Sequence, residues 1–428
     1  MVIKREATMT QYNLPYGKEQ LTFDLPDSLN VTLLAAADVP AASDPLGLVN
    51  HALDNPVGGL RLADFAGARS AAVTVNDKTR PVPHAQLLPP LLARLEALGL
   101  PPQAISLIIA TGTHAVMPPE EYAWVLPPEI LARYPVICHN ANDDAGLQYV
   151  GQTERGTPVW INRHFAAADL RVVVGNIEPH QFMGFSGGVK SAVIGLGGWE
   201  TINHNHALMI DPRSQLGRFD DNPARQDVEE MGRLIGVHFA LNTILNDHKQ
   251  LVEAIAGEPA AVLQAGIPRV LALNSVRVAA PFDLMIVSPG GHPKDINVYQ
   301  AQKGLAHAAL VAKPGGAIIL AAACPEGTGS AKYEQWVQGV RSHQEVFARF
   351  QAEGFRVGPH KAFQIARDAT RVRVLLVSDM AAGFVRSLLL TPAAGLDEAL
   401  AAVLVDLPAG ARIGVIPLAN ATIPRLGH

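Results

Sequence analysis

The chain has 428 residues, 48% of them hydrophobic and 17% charged, which is ample for two buried cores and too apolar for a disordered chain. A formal net charge of -5, with no run of Lys or Arg, gives no footprint for nucleic acid or for an anionic membrane. Two cysteines, Cys138 and Cys324, are too few for a disulfide framework and too far apart for a cysteine-built zinc site. No apolar stretch reaches the ~18–20 residues of a membrane span, and MVIKREATMTQYNLPYGK lacks the apolar core of a signal peptide. The expectation is a cytoplasmic protein.

In chain order, β-branched runs predict strands over 70–75, 105–110, 135–139 and 170–175. A second series falls at 282–288, 316–323, 372–378 and 412–417. Between them lie stretches such as LLPPLLARLEALGL and DEALAAVLVDL, with apolar residues three and four apart, as amphipathic helices require. The region from about 200 to 265 reads as largely helical. Such alternation predicts two α/β domains with mostly parallel sheets, spanning 1–272 and 273–428, with the active site in the cleft between them.

Polar segments begin where the strands end: NDKTRPVPH, TGTH, NANDD, NIEPHQFMGFSGGVKS, PGGHPKDINVYQAQK and CPEGTGS. The carboxyl ends of parallel strands share one edge, and ligands bind there. Ordinary loops need only turn residues, so six such segments predict a catalytic cleft. The longest contains Ser186-Gly187-Gly188-Val189-Lys190, but a phosphate loop needs Gly directly before the Lys. A glycine turn whose backbone N–H groups take an anion stays open. Of fifteen histidines, His114, His180 and His206 stand in polar clusters near strand ends. His204 and His206 diverge by ~200° on a helix, so one metal ligand is expected from the pair rather than two. Asp143-Asp144 and Asp220-Asp221 read as solvated turn residues.

Taken together, five blocks resemble the nickel-pincer lactate racemase family over essentially the whole chain. They are Asp77-Lys78-Thr79-Arg80-Pro81, Thr111-Gly112-Thr113-His114, Pro179-His180 through Gly187-Gly188-Val189-Lys190, Gly290-Gly291-His292-Pro293, and Tyr299-Gln300-Ala301-Gln302-Lys303. His206 follows Lys190 by sixteen residues, as in the family. The resemblance implies a pyridinium-3-thioamide-5-thiocarboxylic acid mononucleotide joined covalently to Lys190 beside the Gly187-Gly188 turn. It implies nickel held by the cofactor's carbon and sulfurs and by His206, so that the protein itself supplies no thiolate.

The implied activity is racemisation or epimerisation of a small 2-hydroxy acid, such as lactate or malate, by reversible hydride transfer to that cofactor. His114 and His180 are similar to the family's two proton acceptors. Arg80 is similar to the residue that holds the substrate carboxylate, with Asp77 orienting Arg80 or a histidine. Lys303 and Gln300 are implied to polarise the reacting oxygen and Tyr299 to line the pocket. Phe363 is the nearest match to the family's pocket aromatic, while Lys294 and Lys361 are expected at the surface or against a second carboxylate. The implied partners are the substrate and the enzymes that build the cofactor. Two other classes stay open. One is an NAD(P)-dependent 2-hydroxy acid dehydrogenase, although no intact Gly-x-Gly-x-x-Gly follows a strand; the other is a non-catalytic carboxylate-binding protein.

Overall fold

The computed structural model describes residues 8–427. In chain order, the strands of its two large sheets are β1 (Asn30–Leu33), β2 (Ala71–Asn76), β3 (Ile105–Ala110), β4 (Val136–Cys138), β5 (Leu170–Asn176) and β6 (Phe239–Leu245). They continue with β7 (Leu251–Gly257), β8 (Phe282–Val287), β9 (Ala312–Ala321), β10 (Arg373–Val377), β11 (Thr391–Ala393) and β12 (Arg412–Ile416). All eight strands expected from sequence are present, within a few residues at their ends.

The chain divides into two compact units, one over Asp38–Leu273 and one combining the residues up to Ala37 with Asn274–His428. The late boundary falls beside the expected 272/273, but residues 8–37, assigned from sequence to the N-terminal domain, belong to the other unit. The reason is pairing. Strand β1 joins the edge of the second sheet beside β12, with Val31 opposite Ile413. The hairpin Met9–Tyr16/Glu19–Pro26 buries Leu14, Phe23 and Leu25 in the same core as Leu284, Ile286 and Ile319.

In the first unit the sheet order is β7-β6-β5-β2-β3-β4, parallel throughout except for β7. Strands β6 and β7 occupy part of the segment expected to be helical. In FALNTIL the polar Asn242 and Thr243 break the apolar pattern, yet both are fully buried in the sheet. The chain runs outward from β2 through β3 to β4, then returns to β5 on the other side of β2. Loops leaving β2 and β5 therefore diverge, and a crevice opens at their carboxyl ends. Alternate residues Val73, Val75, Leu107, Ile109, Val172 and Val174 build the core on one face.

The second unit's sheet, β11-β10-β9-β8-β12-β1, is entirely parallel. No helix among the described residues is long and apolar enough to cross a membrane.

Candidate active site

In the first unit one pocket lies at that switch point, and Arg80, His114, Glu178, Gly187, Lys190 and His206 all line it. Each comes from a segment that leaves the carboxyl end of β2, β3 or β5, or from the helix that follows.

Asp77 is the first residue beyond β2 and is buried. Its Oδ2 lies 2.6 Å from His114 Nδ1, and its Oδ1 accepts bonds from the Thr79 hydroxyl at 2.7 Å and the Thr79 N–H at 3.1 Å. Of the two partners open to Asp77 from sequence, the structure gives it His114 and not Arg80. Burial pushes the Asp77 carboxyl up, but the His114 hydrogen bond and charge, the Thr79 hydroxyl and the Arg80 charge together leave it below its ordinary value. With an anionic acceptor on Nδ1, His114 keeps its proton there and leaves Nε2 as the basic nitrogen. Arg80 is exposed, and its guanidinium makes no hydrogen bond among the described residues.

His180 sits in a short hairpin, Pro179–His180 against Gly184–Phe185. Its Nδ1 accepts a bond from the Met183 N–H at 3.3 Å, so the neutral ring carries its proton on Nε2. The two histidines thus present opposite tautomers. The Phe182 ring meets His180 edge-on at 4.9 Å and His206 at 5.0 Å, a bridging position that sequence reasoning missed.

Lys190 opens the short helix α1 (Lys190–Val193) and is only 5% exposed. Its amine has no hydrogen bond or ion pair among the described residues, which is rare for a buried lysine. Burial, followed by the charges of Arg80 and Arg225, holds it well below the ordinary 10.5, with Glu178 opposing. Burial and the two guanidinium charges each favour the uncharged amine, which is the nucleophilic form.

The preceding turn is held by residues with no signal in the sequence. Arg225, fully buried on helix α3 (Pro223–Ile235), donates to the carbonyls of Phe185 at 2.9 Å and Gly187 at 3.1 Å, and pairs with Glu229 at 2.6 Å. Gly188 has φ +56°, and a Cβ there would lie 2.5 Å from Leu263 Cδ1. The Gly188 N–H donates to Asn242 Oδ1 and the Ser186 N–H to the Glu178 carbonyl. These two amides are satisfied inside the protein, so the expected anion-binding use of this turn is corrected for Ser186 and Gly188. Gly187 remains on the pocket wall.

His206 lies on helix α2 (Trp199–Ala207), and His204, diverging from it, is exposed. Burial, then the charges of Lys190 and Arg80, push His206 down to about 3, so its imidazole is neutral and ready to bind a metal. Asn205 between them is buried and donates to the Ala224 carbonyl and to Asp227, each at 2.9 Å. Among the described residues no cluster of three or more His, Cys, Asp or Glu is placed to hold a metal ion.

In the second unit, helix α4 (Val298–Ala309) carries Tyr299, Gln300 and Lys303, and Lys303 Nζ donates to Gln300 Oε1 at 2.8 Å. Lys361, on helix α5 (Pro359–Ala369), is buried rather than at the surface. Its Nζ lies 4.5 Å from the Tyr299 ring centre and donates to Gln364 at 2.9 Å and Gln302 at 3.3 Å. Phe363 is also buried, stacked on Phe350 at 4.8 Å and edge-on to Phe347 at 5.4 Å. It is core, and the expectation that it walls a pocket is corrected.

The chain matches the lactate racemase N-terminal domain over residues 16–217 and the lactate racemase C-terminal domain over 278–423. The lactate racemase of Thermoanaerobacterium thermosaccharolyticum is 30% identical over 418 residues, covering 96% of this chain and 98% of that protein. The lactate racemase of Lactiplantibacillus plantarum is 33% identical over 326 residues, 75% of this chain and 76% of that one. The solved structure of the Thermoanaerobacterium lactate racemase apoprotein matches with a TM-score of 0.88 at 30% identity, covering 97% of this chain and 100% of that one. A Thermotoga maritima protein with a TM-score of 0.61 at 18% identity, covering 92% of this chain and 100% of its own, shares the fold. Both family domains and nearly the full length of a curated racemase are matched: the chain belongs to the lactate racemase family and is an isomerase.

Proposed function

We propose that the protein racemises or epimerises a small 2-hydroxy carboxylate, using a nickel-pincer nucleotide carried on Lys190 with His206 as the protein's nickel ligand. The observation that carries this reading is the convergence of Arg80, His114, Lys190 and His206 on one pocket.

The residues fit the group. A buried lysine amine without hydrogen bond or ion pair among the described residues is costly unless something joins it. A covalent amide-type link to Lys190 would remove its charge altogether. His206 offers one neutral imidazole, which suits a metal whose other donors arrive with the cofactor. When bound, the group supplies a reversible hydride acceptor.

The chain's own residues do the rest. Arg80 takes the 2-carboxylate through two parallel hydrogen bonds, fixing C2 in the pocket. His114, with Nδ1–H held by Asp77, accepts the hydroxyl proton on Nε2. His180 serves the opposite face. To accept a proton on Nε2, its ring must move its own proton to Nδ1 and give up the Met183 contact. For Lys303, Gln300 and Tyr299 the support is the resemblance, which gives the first two the polarisation of the reacting oxygen and the third the lining of the pocket.

The test is a panel of D- and L-lactate, malate, 2-hydroxyglutarate and phenyllactate. Enzyme produced with the cofactor's biosynthetic proteins is incubated with each, followed by chiral analysis. Inversion of at least one at C2 is expected. Cofactor-loaded enzyme that inverts none of them would defeat the proposal.

A further inference from the structure

His206 Nδ1 lies 3.3 Å from the Oδ1 of its neighbour Asn205. Which atom donates is decided by what else Asn205 meets. Its Nδ2 faces the Ala224 carbonyl and Asp227 Oδ2, each at 2.9 Å. A carbonyl and a carboxylate accept and do not donate, so the NH2 of Asn205 must face them and its oxygen must face the imidazole. An amide oxygen cannot donate. His206 Nδ1 therefore carries the hydrogen, and Nε2 keeps the lone pair.

Asp227 is held in the accepting role by its own surroundings. It is fully buried, with the Thr153 hydroxyl 2.6 Å from Oδ1 and the Thr157 hydroxyl 2.9 Å from Oδ2. Three donors converge on this carboxylate from two segments: the two threonines flank one turn, and Asn205 comes from α2. The polarity of the whole chain of bonds runs one way, from hydroxyls and amide into Asp227, and from imidazole into the amide oxygen.

We infer that Asp227 and Asn205 form a relay that sets the tautomer of His206 and presents Nε2 as its metal-binding nitrogen. This rests on the nickel-ligand role proposed above for His206. A ligating histidine whose second N–H is held by an oxygen acceptor has its ring orientation fixed and its basicity raised, and loss of such a partner typically weakens metal binding ~10–100-fold. Asn205 and Asp227 are positioning residues, since neither touches the metal in this scheme. Packing α2 against its neighbours would need the Asp227 bonds but would be indifferent to which nitrogen of His206 is protonated. That difference separates a relay from a structural pin.

The experiment reads the tautomer directly, by 15N NMR of histidine-labelled apoprotein, where no cofactor is needed. Wild type is expected as the neutral Nδ1–H form at His206. Asn205→Leu removes the acceptor at similar volume, and the proton should shift toward Nε2. Asp227→Asn keeps the shape and turns one face of the hub into a donor. Its amide oxygen can take the Oδ2 place, and the unchanged Ala224 carbonyl still requires the Asn205 NH2, so the Nδ1–H form should persist. Asn205→Ala, which removes the acceptor with a smaller side chain, should shift the proton as Asn205→Leu does. Nickel content, for protein produced with the cofactor's biosynthetic proteins, should fall ~10–100-fold from wild type in both Asn205 variants. Circular dichroism and thermal melting establish that each variant is folded, and Asn205→Ala carries the test if Asn205→Leu is not. A wild-type Nε2–H tautomer, or an unmoved tautomer in a folded Asn205 variant, would overturn the relay. A wild type with Nδ1–H but no nickel would support the relay and remove the ligand role of His206.

Discussion

Replacing Asp77 with Asn keeps the side chain's size and reverses one hydrogen bond. The Thr79 backbone N–H points at Oδ1 from 3.1 Å and cannot turn round, so the amide oxygen of the variant must take the Oδ1 place. Its NH2 then occupies the Oδ2 place, 2.6 Å from His114 Nδ1 in the native geometry. A donor there forces the His114 proton onto Nε2, and the basic lone pair is lost. General acid–base groups contribute ~10²–10⁴-fold, so kcat should fall by that factor, equivalent to ~2.7–5.4 kcal/mol of barrier at 1.36 kcal/mol per tenfold. KM should move little, because Asp77 sits behind His114 and not on the substrate. The assay is the initial rate of inversion in both directions by chiral chromatography, with cofactor loading matched by mass spectrometry. The pH dependence carries a sign as well. The Asp77 carboxyl lies below its ordinary value, so its contribution to stability is complete above ~3.9 and is lost as the pH falls through the lower folded value. The stability gap between wild type and Asp77→Asn should therefore be constant at neutral pH and close only in strong acid. A variant with kcat within about threefold of wild type, against that 10²–10⁴-fold expectation, would refute the tautomer argument.

Lys190→Met should abolish the covalent mass adduct on the peptide containing Lys190. It should also raise the melting temperature of the apoprotein at neutral pH, because a depressed lysine costs stability below its ordinary 10.5 and the methionine does not. An unchanged or lower melting temperature would show that the native lysine is not strained by burial. His206→Ala should remove nickel from protein produced with the biosynthetic enzymes, and the exposed His204→Ala should not; equal metal content in the two would contradict the assignment. Arg80→Lys keeps the charge and loses the fork, so kcat/KM should drop at least ~10-fold, and retained activity would end the carboxylate-clamp role. Arg225→Ala leaves Glu229 buried without its guanidinium and takes a donor from the carbonyls of Phe185 and Gly187, which should cost about 3–5 kcal/mol in denaturant melts.

What could be read in advance followed from local chemistry. Fully buried parallel strands are continuous apolar runs, so VVV at 172–174 and MIV at 285–287 announce themselves. Arg80, His114, Lys190 and His206 were legible because reactive side chains follow strand ends, and the structure brings these four to one pocket. The supports were not legible. Arg225, Asp227 and Glu229 occur in PARQDVEEMGRLI, where charges at helical spacing look like a solvated face. The hydrogen-bond partners of the Arg225 and Asp227 side chains outside the helix lie 22 to 74 residues away in sequence. Lys361 and Phe363 were misjudged for the same reason, since nothing local distinguishes a surface lysine from one beneath Tyr299. The N-terminal hairpin alternates apolar and polar residues as a strand should, but its destination is a long-range fact.

That destination orders events on the ribosome. Strand β1 at Asn30–Leu33 pairs with Arg412–Ile416, so its partner is translated about 380 residues later, roughly 20–80 s at ordinary elongation rates. The unit over Asp38–Leu273 has no such wait, and its six strands are complete before the other sheet has more than one. The pocket-bearing half is thus an insertion that can mature while the nascent N-terminal hairpin still lacks its core. Any shortened form ending near residue 273 would retain that hairpin and edge strand with nothing to pair them, an invitation to aggregation. Starting such a fragment at Asp38 instead removes the orphaned strands and leaves the pocket-bearing unit alone.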